Sequence, residues 1–277
     1  MYDEILFEVD DPVATITLNR PQALNAWTPH MEREVMDAVG RAERDPGVVG
    51  IIITGAGRGF CAGADMQVLK EIQDRGPADG YDRGAEAKAV PGDPSWGDDL
   101  RGTYTYLMSV PKPIIACING AVAGMGLPIA LCCDLRFIAE EAVVLTAFAE
   151  RGLIAEWGLS WLLPRLVGPS VALDLLFSSR KVRGPEAVAL GIANRCLPAD
   201  QLVAEARAYL TDVAAKCSPA SLAVMKRQVY QQMHDGLGPA EKESILLMLE
   251  SFERPDFREG VAAFQEKRPP SFPRIGS

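Results

Sequence analysis

Twice along this chain a run of strand formers passes through a glycine-rich turn into a helical segment, and that recurrence limits the fold more than any other feature. The first unit runs from Val48 to Thr54, through Gly59-Phe60-Cys61-Ala62-Gly63-Ala64-Asp65-Met66, into Gln67 to Ile72. The second runs from Pro113 to Ile118, through Asn119-Gly120-Ala121-Val122-Ala123-Gly124-Met125-Gly126, into an apolar helix ending near Cys133. Both strands are too apolar to be anything but buried, which predicts a mixed α/β core. A glycine-rich turn at a helix N-terminus leaves backbone N–H groups bare, and the helix dipole behind them suits negative charge. That charge is either a phosphate that stays put or an oxyanion that forms during a reaction.

The phosphate motifs fail on their own terms. Gly55-Ala56-Gly57-Arg58-Gly59-Phe60 departs from G-x-G-x-x-G, because Phe60 stands where the third glycine is needed. No Gly-Lys-Ser/Thr follows a glycine turn, so a Walker loop is also excluded. Two N–H groups, one from each turn, converging on one point would instead make an oxyanion hole.

Composition narrows the classes further. A net charge of −9 argues against a nucleic-acid surface, which needs a basic face. Six cysteines without a C-x-x-C pair read as buried reduced thiols rather than a disulfide framework or zinc site. Two histidines, His30 and His234, leave little for a histidine metal centre or triad, so no metal is expected. The acidic N-terminus lacks a signal-peptide core, and no apolar run approaches the ~20 residues of a membrane span. These features predict a soluble cytoplasmic protein.

Strands are expected at 5–8 and 13–18, and Thr28 with Pro29 opens a helix to about Arg44. Residues 74–99, rich in Gly, Pro and Asp, read as a mobile surface loop with room for a short helix. Short strands follow at 135–138 and 142–145, helices at 159–167, 170–178 and 185–190, and a strand at 195–197. Beyond Asp200 the pattern is wholly helical, with stretches at 201–216, 219–235, 239–252 and 256–266. The expected organisation is a core over 1–199, carrying the site, and a helical region over 200–277.

The pattern as a whole resembles the crotonase (enoyl-CoA hydratase/isomerase) superfamily. The residues that carry the resemblance are Ile16-Thr17-Leu18-Asn19-Arg20-Pro21 with Leu24-Asn25-Ala26, and Phe60-Cys61-Ala62-Gly63-Ala64-Asp65. They continue with Lys112-Pro113-Ile114-Ile115-Ala116, Asn119-Gly120, Cys133-Asp134, and Phe264-Gln265-Glu266-Lys267-Arg268-Pro269. The resemblance implies a spiral of repeated ββα units with a helical C-terminal region that joins subunits into homotrimers or hexamers. It also implies an acyl-CoA thioester substrate of the fatty-acid type, and no cofactor beyond the CoA that the substrate carries. By position, the oxyanion-hole donors fall on Ala64 and Met125. Contacts to CoA carry over to Ala62, Ala64 and Met66 around the first turn and to Ala23 and Leu24 after Arg20-Pro21. Gln22-Ala23 stand where relatives often have a lysine, so Lys267 is the candidate for phosphate charge, from a neighbouring element or subunit.

The family's two hydratase glutamates are absent. Pro128 occupies the first position and Phe148 the second; Glu150 is two residues away. One acid remains in Leu153-Ile154-Ala155-Glu156-Trp157-Gly158, at a place resembling that of the catalytic aspartate in some isomerases of the superfamily. Its apolar flanks predict a raised pKa and so a usable acid or base. One carboxylate beside an enolate hole suffices to move a proton between carbons, so isomerisation is the simplest expectation. Hydration remains open if Glu156 alone positions water, or if Asp93, Asp98 or Asp99 joins it. The competing expectation is a catalytically silent acyl-CoA binder or assembly protein that keeps the hole without its acids. The acyl pocket is expected near 74–105, Trp157 and Trp161, although those aromatics read equally as core.

Overall fold

The computed structural model describes residues 1–76 and 90–275. Its strands are β1 (Ile5–Asp10), β2 (Val13–Leu18), β3 (Gly50–Gly55), β4 (Gly59–Cys61) and β5 (Ile114–Ile118). They continue with β6 (Ala121–Ala123), β7 (Leu135–Ala139), β8 (Val143–Leu145), β9 (Val182–Arg183) and β10 (Arg195–Leu197). The helices are α1 (Pro29–Arg44), α2 (Met66–Arg75), α3 (Tyr106–Ser109), α4 (Gly126–Leu131), α5 (Leu159–Val167) and α6 (Pro169–Ser178). After them come α7 (Gly184–Ala189), α8 (Leu202–Lys216), α9 (Pro219–Gln232), α10 (Leu237–Glu253) and α11 (Pro255–Glu266).

Five strands of five or six residues and the three-residue β10 form a six-stranded sheet in the order β1-β2-β3-β5-β7-β10, antiparallel at the β1–β2 hairpin and parallel elsewhere. Ile51, Ile52 and Ile53 of β3 and all of β5 have no exposed surface, as expected for parallel strands covered on both faces. The remaining short strands form a second sheet, β4-β6-β8-β9. Three strands of the first sheet each hand the chain to a short strand of the second and then to a helix: β3-β4-α2, β5-β6-α4, β7-β8-α5. This is the repeated ββα architecture, with eleven helices among the described residues.

The second sheet is where the structure departs from the sequence reading. Residues 59–61 and 121–123 were expected as parts of glycine turns, yet they pair in parallel, Gly59 with Ala121 and Cys61 with Val122. Three-residue strands carry no readable alternation. The glycines here permit close approach: a Cβ on Gly120 would lie 2.1 Å from the Arg58 carbonyl oxygen, and one on Gly126 2.3 Å from that of Cys61.

Thr28 caps α1, its hydroxyl accepting from the Met31 N–H at 3.0 Å, with Pro29 opening the helix as the sequence suggests. Helix α1 packs on β1 and β2, and α8 lies across β2, β3, β5 and β7. Leu202, Ala206 and Leu210 of α8 are fully buried, so the first helix beyond residue 199 packs directly on the sheet. Helices α9 to α11 instead leave large apolar side chains in solvent, among them Met225, Leu237, Leu246, Phe252 and Phe264. Of the expected 74–99 loop, residues 77–89 lie outside the described residues. The rest holds the end of α2 and two short 3-10 turns, Pro94–Trp96 and Asp98–Leu100, whose Trp96 and Leu100 are buried.

Candidate active site

The first glycine turn is clamped by the segment that follows Arg20. Leu24 and Asn25 take left-handed conformations, φ 50° and 56°, which turn the fully buried Asn25 side chain inward. Its amide nitrogen donates to the carbonyls of Ala56 (3.0 Å) and Gly59 (2.8 Å), and its oxygen accepts from the Arg20 N–H (2.8 Å). A short parallel pairing then joins 24–27 to 62–65. Ala62 N–H donates to Leu24 (3.1 Å), Trp27 N–H to Gly63 (2.8 Å), and Asp65 N–H to Trp27 (3.0 Å). In that bridge the Ala64 N–H faces away from Trp27, and no acceptor takes it among the described residues.

Asp65 caps α2, its carboxylate accepting from the Gln67 N–H at 2.9 Å and pairing with Arg20 at 2.8 Å. The Gln67 N–H, more than Arg20, holds this carboxyl below its ordinary range. The α2 N-terminus thus already carries a negative charge of its own, which weighs against a phosphate held there. Arg20 also reaches Glu4 at 3.2 Å and the Ala26 carbonyl at 2.7 Å.

The second turn meets the first. A Cβ built on Gly63 would lie 3.2 Å from the Ala123 oxygen and 3.8 Å from the Gly124 Cα; one on Gly124 would lie 3.6 Å from the Gly63 Cα. Both glycines have positive φ, 108° and 48°. Gly124 N–H bonds Leu145 at 3.3 Å, while Met125, at the N-cap of α4, finds no acceptor for its N–H among the described residues. Ala64 and Met125 thus follow two glycines that lie in contact. Helix α4 has only six residues, so little dipole stands behind Met125.

Glu156 sits half-buried in the loop between Gly152 and α5. Burial raises its carboxyl above the ordinary range, and the neighbouring Trp157 indole partly offsets this. A chain of rings leads from that loop to the first turn: Trp157 meets Tyr104 edge-on at 5.5 Å, and Tyr104 meets Trp27 at 5.7 Å. Trp27 is the residue bridged to Ala64. Neither Trp27 nor Tyr104 was singled out from sequence, since single aromatics in mixed surroundings read as core.

The remaining expected positions distribute as follows. Pro128 is buried inside α4, and Phe148 is buried at 4% exposure; neither can carry a proton. Glu150 is exposed on the 3-10 turn Ala149–Arg151. Asp93 caps Ser95 at 2.9 Å, while Asp98 and Asp99 are exposed. Ala23 and Leu24 lie half-buried beside Ala62, and Met66 is 70% exposed at the start of α2. Lys267 stands exposed at the C-cap of α11, φ 55°, with no hydrogen bond or ion pair to 20–27 among the described residues. Trp161 stacks on His234 at 5.2 Å with Arg165 over it at 3.8 Å, so it packs α5 against the turn that follows α9. Asp3, His30 and Glu34 bring possible ligand atoms within 4.8 Å of one another. Glu34 there accepts the N–H groups of Asp3 (2.7 Å) and Glu4 (2.8 Å) and pairs with His30, which accounts for the grouping.

Comparison with known proteins agrees with this architecture. The family model for enoyl-CoA hydratase/isomerase matches residues 8–274. A putative enoyl-CoA hydratase of Thermus thermophilus is 34% identical over 94% of this chain and 97% of its own. The 1,2-epoxyphenylacetyl-CoA isomerase of Escherichia coli is 30% identical over 98% of this chain and 99% of its own. Among solved structures, a probable enoyl-CoA hydratase/isomerase from Mycobacterium abscessus superposes with a TM-score of 0.80 at 30% identity, covering 99% of each chain.

Proposed function

The chain belongs to the enoyl-CoA hydratase/isomerase family, and from that premise we propose that it moves a proton along an acyl-CoA thioester with Glu156 as its acid/base. The thioester oxygen accepts hydrogen bonds from the Ala64 and Met125 N–H groups. Glu156 removes a proton from the carbon beside the carbonyl, and the electron pair left behind delocalises onto that oxygen. The same carboxyl then returns the proton further along the acyl group, which shifts the double bond. One such N–H donor is typically worth ~3 kcal/mol of transition-state stabilisation. The observation that supports this reading is the contact of Gly63 with Gly124: the residues that follow them, Ala64 and Met125, have N–H groups that no acceptor takes among the described residues.

Isomerisation is favoured over hydration because hydration calls for a second acid, and Pro128 and Phe148 stand where the family's glutamates would be. The CoA adenine lies along Ala62, Ala64 and Met66, with Ala23 and Leu24 against the pantetheine. No cofactor is called for beyond the CoA of the substrate. The apolar faces of α9 to α11 support assembly into homotrimers or hexamers, in which Lys267 of a neighbouring copy supplies charge for the CoA phosphates. The loss of the glutamates favours a second reading, a silent acyl-CoA binder; the raised carboxyl of Glu156 counts against it.

Solvent deuterium exchange separates the two. Incubated in D2O with a 3-enoyl-CoA ester, an active protein shifts the double bond and incorporates deuterium whenever the protonated Glu156 exchanges with solvent before returning its proton, whereas a silent binder retains affinity with neither. Absence of both exchange and turnover across short, long and aromatic esters would sink the enzymatic reading.

A further inference from the structure

Trp157 is the residue in the Glu156 loop whose backbone is hardest to explain by packing convenience. Its φ is 55°, a left-handed conformation that bulky L-residues rarely adopt, and Gly158 follows at φ 77°. Two successive left-handed residues turn the chain sharply between Glu156 and α5. A glycine at 157 would take this turn freely, so what the indole adds at this position is its ring contacts.

The rest of the loop is loosely tied. Leu153 and Ile154 are 40% and 74% exposed. Among the described residues, the main-chain hydrogen bonds at its ends run from Leu153 N–H to Phe148 and from Leu159 N–H to Glu156. The Trp157 ring, by contrast, abuts Tyr104 (centroids 5.5 Å, planes at 64°), and Tyr104 abuts Trp27 (5.7 Å, 84°). Trp27 and Tyr104 are 4% and 3% exposed, so both are held by the core. The Trp27 main chain bonds Gly63 and Asp65, the residues on either side of Ala64.

We propose that Trp157 is a positioning residue: anchored through Tyr104 and Trp27, it holds the left-handed turn that sets the Glu156 carboxylate relative to the Ala64 donor. This rests on the acid/base reading of Glu156. The ring chain mechanically ties the loop of the base to the turn of the oxyanion hole, so that the two halves of the site keep one distance. Ring contacts of this kind are specific in geometry as well as favourable. A displacement of a base by about 1 Å is enough to cost roughly 100-fold in rate.

The test is steady-state kinetics on purified variants with one 3-enoyl-CoA ester. Trp157→Gly removes the anchor, and with it the indole's own interaction with Glu156, while leaving the backbone free to keep its turn; Trp157→Phe keeps a ring but not the indole N–H and so separates the two. Trp157→Gly should lower kcat by about 10- to 100-fold with KM changed little, and Trp157→Phe should restore most of that. Tyr104→Leu, at the next ring along the chain, should lower kcat in the same sense. In a Glu156→Gln background, Trp157→Gly should change turnover by less than about 3-fold, because the group it positions is already gone. If Glu156→Gln is impaired while Trp157→Gly keeps full kcat, raises only KM, or multiplies the Glu156→Gln loss, the positioning role is overturned and the acid/base reading stands. A fully active Glu156→Gln overturns both.

Discussion

Gly63 shows how much of this site rests on single backbone angles. At φ 108° no L side chain is comfortable, and an added Cβ would press on the Ala123 oxygen at 3.2 Å. Gly63→Ala is therefore expected to cost about 2 kcal/mol in urea unfolding and to lower kcat by displacing the Ala64 N–H. Gly124→Ala meets its nearest atom only at 3.6 Å and should cost about 1 kcal/mol, the price of the left-handed angle alone. Equal losses in the two variants would contradict this. Glu156 adds a pH signature. With its carboxyl raised by burial, turnover that needs the ionised base should climb with pH through a range above that of an ordinary carboxylate. The same shift acts on stability with a fixed sign. The unfolded carboxyl ionises first, so ionising Glu156 disfavours the fold as pH rises, and Glu156→Gln should be no less stable than the parent at pH 7. The glycine turns were legible because their spacing is distinctive, and the raised carboxyl of Glu156 because its flanks are apolar. Asn25 was not: flanked by Leu24 and Ala26, it reads as loop until the fold buries its amide against Ala56 and Gly59.

Among elements, capped helices and long apolar strands were the readable ones. Thr28-Pro29 marks the start of α1 in sequence and in structure, and β3 and β5 follow their isoleucine runs. The second sheet was not readable, because β4 and β6 have three residues each and their partners lie about sixty residues away in sequence. Lys112 is similar. Its place before Pro113 contributed to the family resemblance, but only the fold shows its buried ammonium donating to the carbonyls of Ala42 (3.0 Å) and Asp45 (2.6 Å) at the C-terminus of α1. For α2 the cap is Asp65, whose loss would free the Gln67 N–H and leave Arg20 with Glu4 and the Ala26 carbonyl. Asp65→Ala should cost about 1 kcal/mol and raise hydrogen exchange first in α2. Uniform exchange across the sheet would place the damage elsewhere.

For the molecule as a whole, four buried cysteines set the alkaline limit. Burial pushes the thiols of Cys61, Cys117 and Cys133 up to about 12 and raises that of Cys132 as well. Unfolded thiols ionise near ~8.5, so stability is full below that pH and is lost as pH rises toward 12. Lys112 works the other way. Burial lowers it to about 8 while its unfolded form titrates near ~10.4, so it adds stability across that interval. Four thiols outweigh one ammonium, and the urea midpoint should fall between pH 8.5 and 10.5; a rising midpoint would reverse the ranking. The exposed apolar side chains of α9 to α11 make the second whole-molecule expectation. Light scattering should find a species larger than the monomer, and Leu246→Glu should shift it toward the monomer. The central claim, enolate chemistry run by one carboxylate, is tested most directly by Glu156→Gln assayed on a 3-enoyl-CoA ester with CoA affinity measured alongside. A loss of at least ~100-fold in kcat with unchanged CoA binding is the expected result; undiminished kcat would remove Glu156 from the reaction.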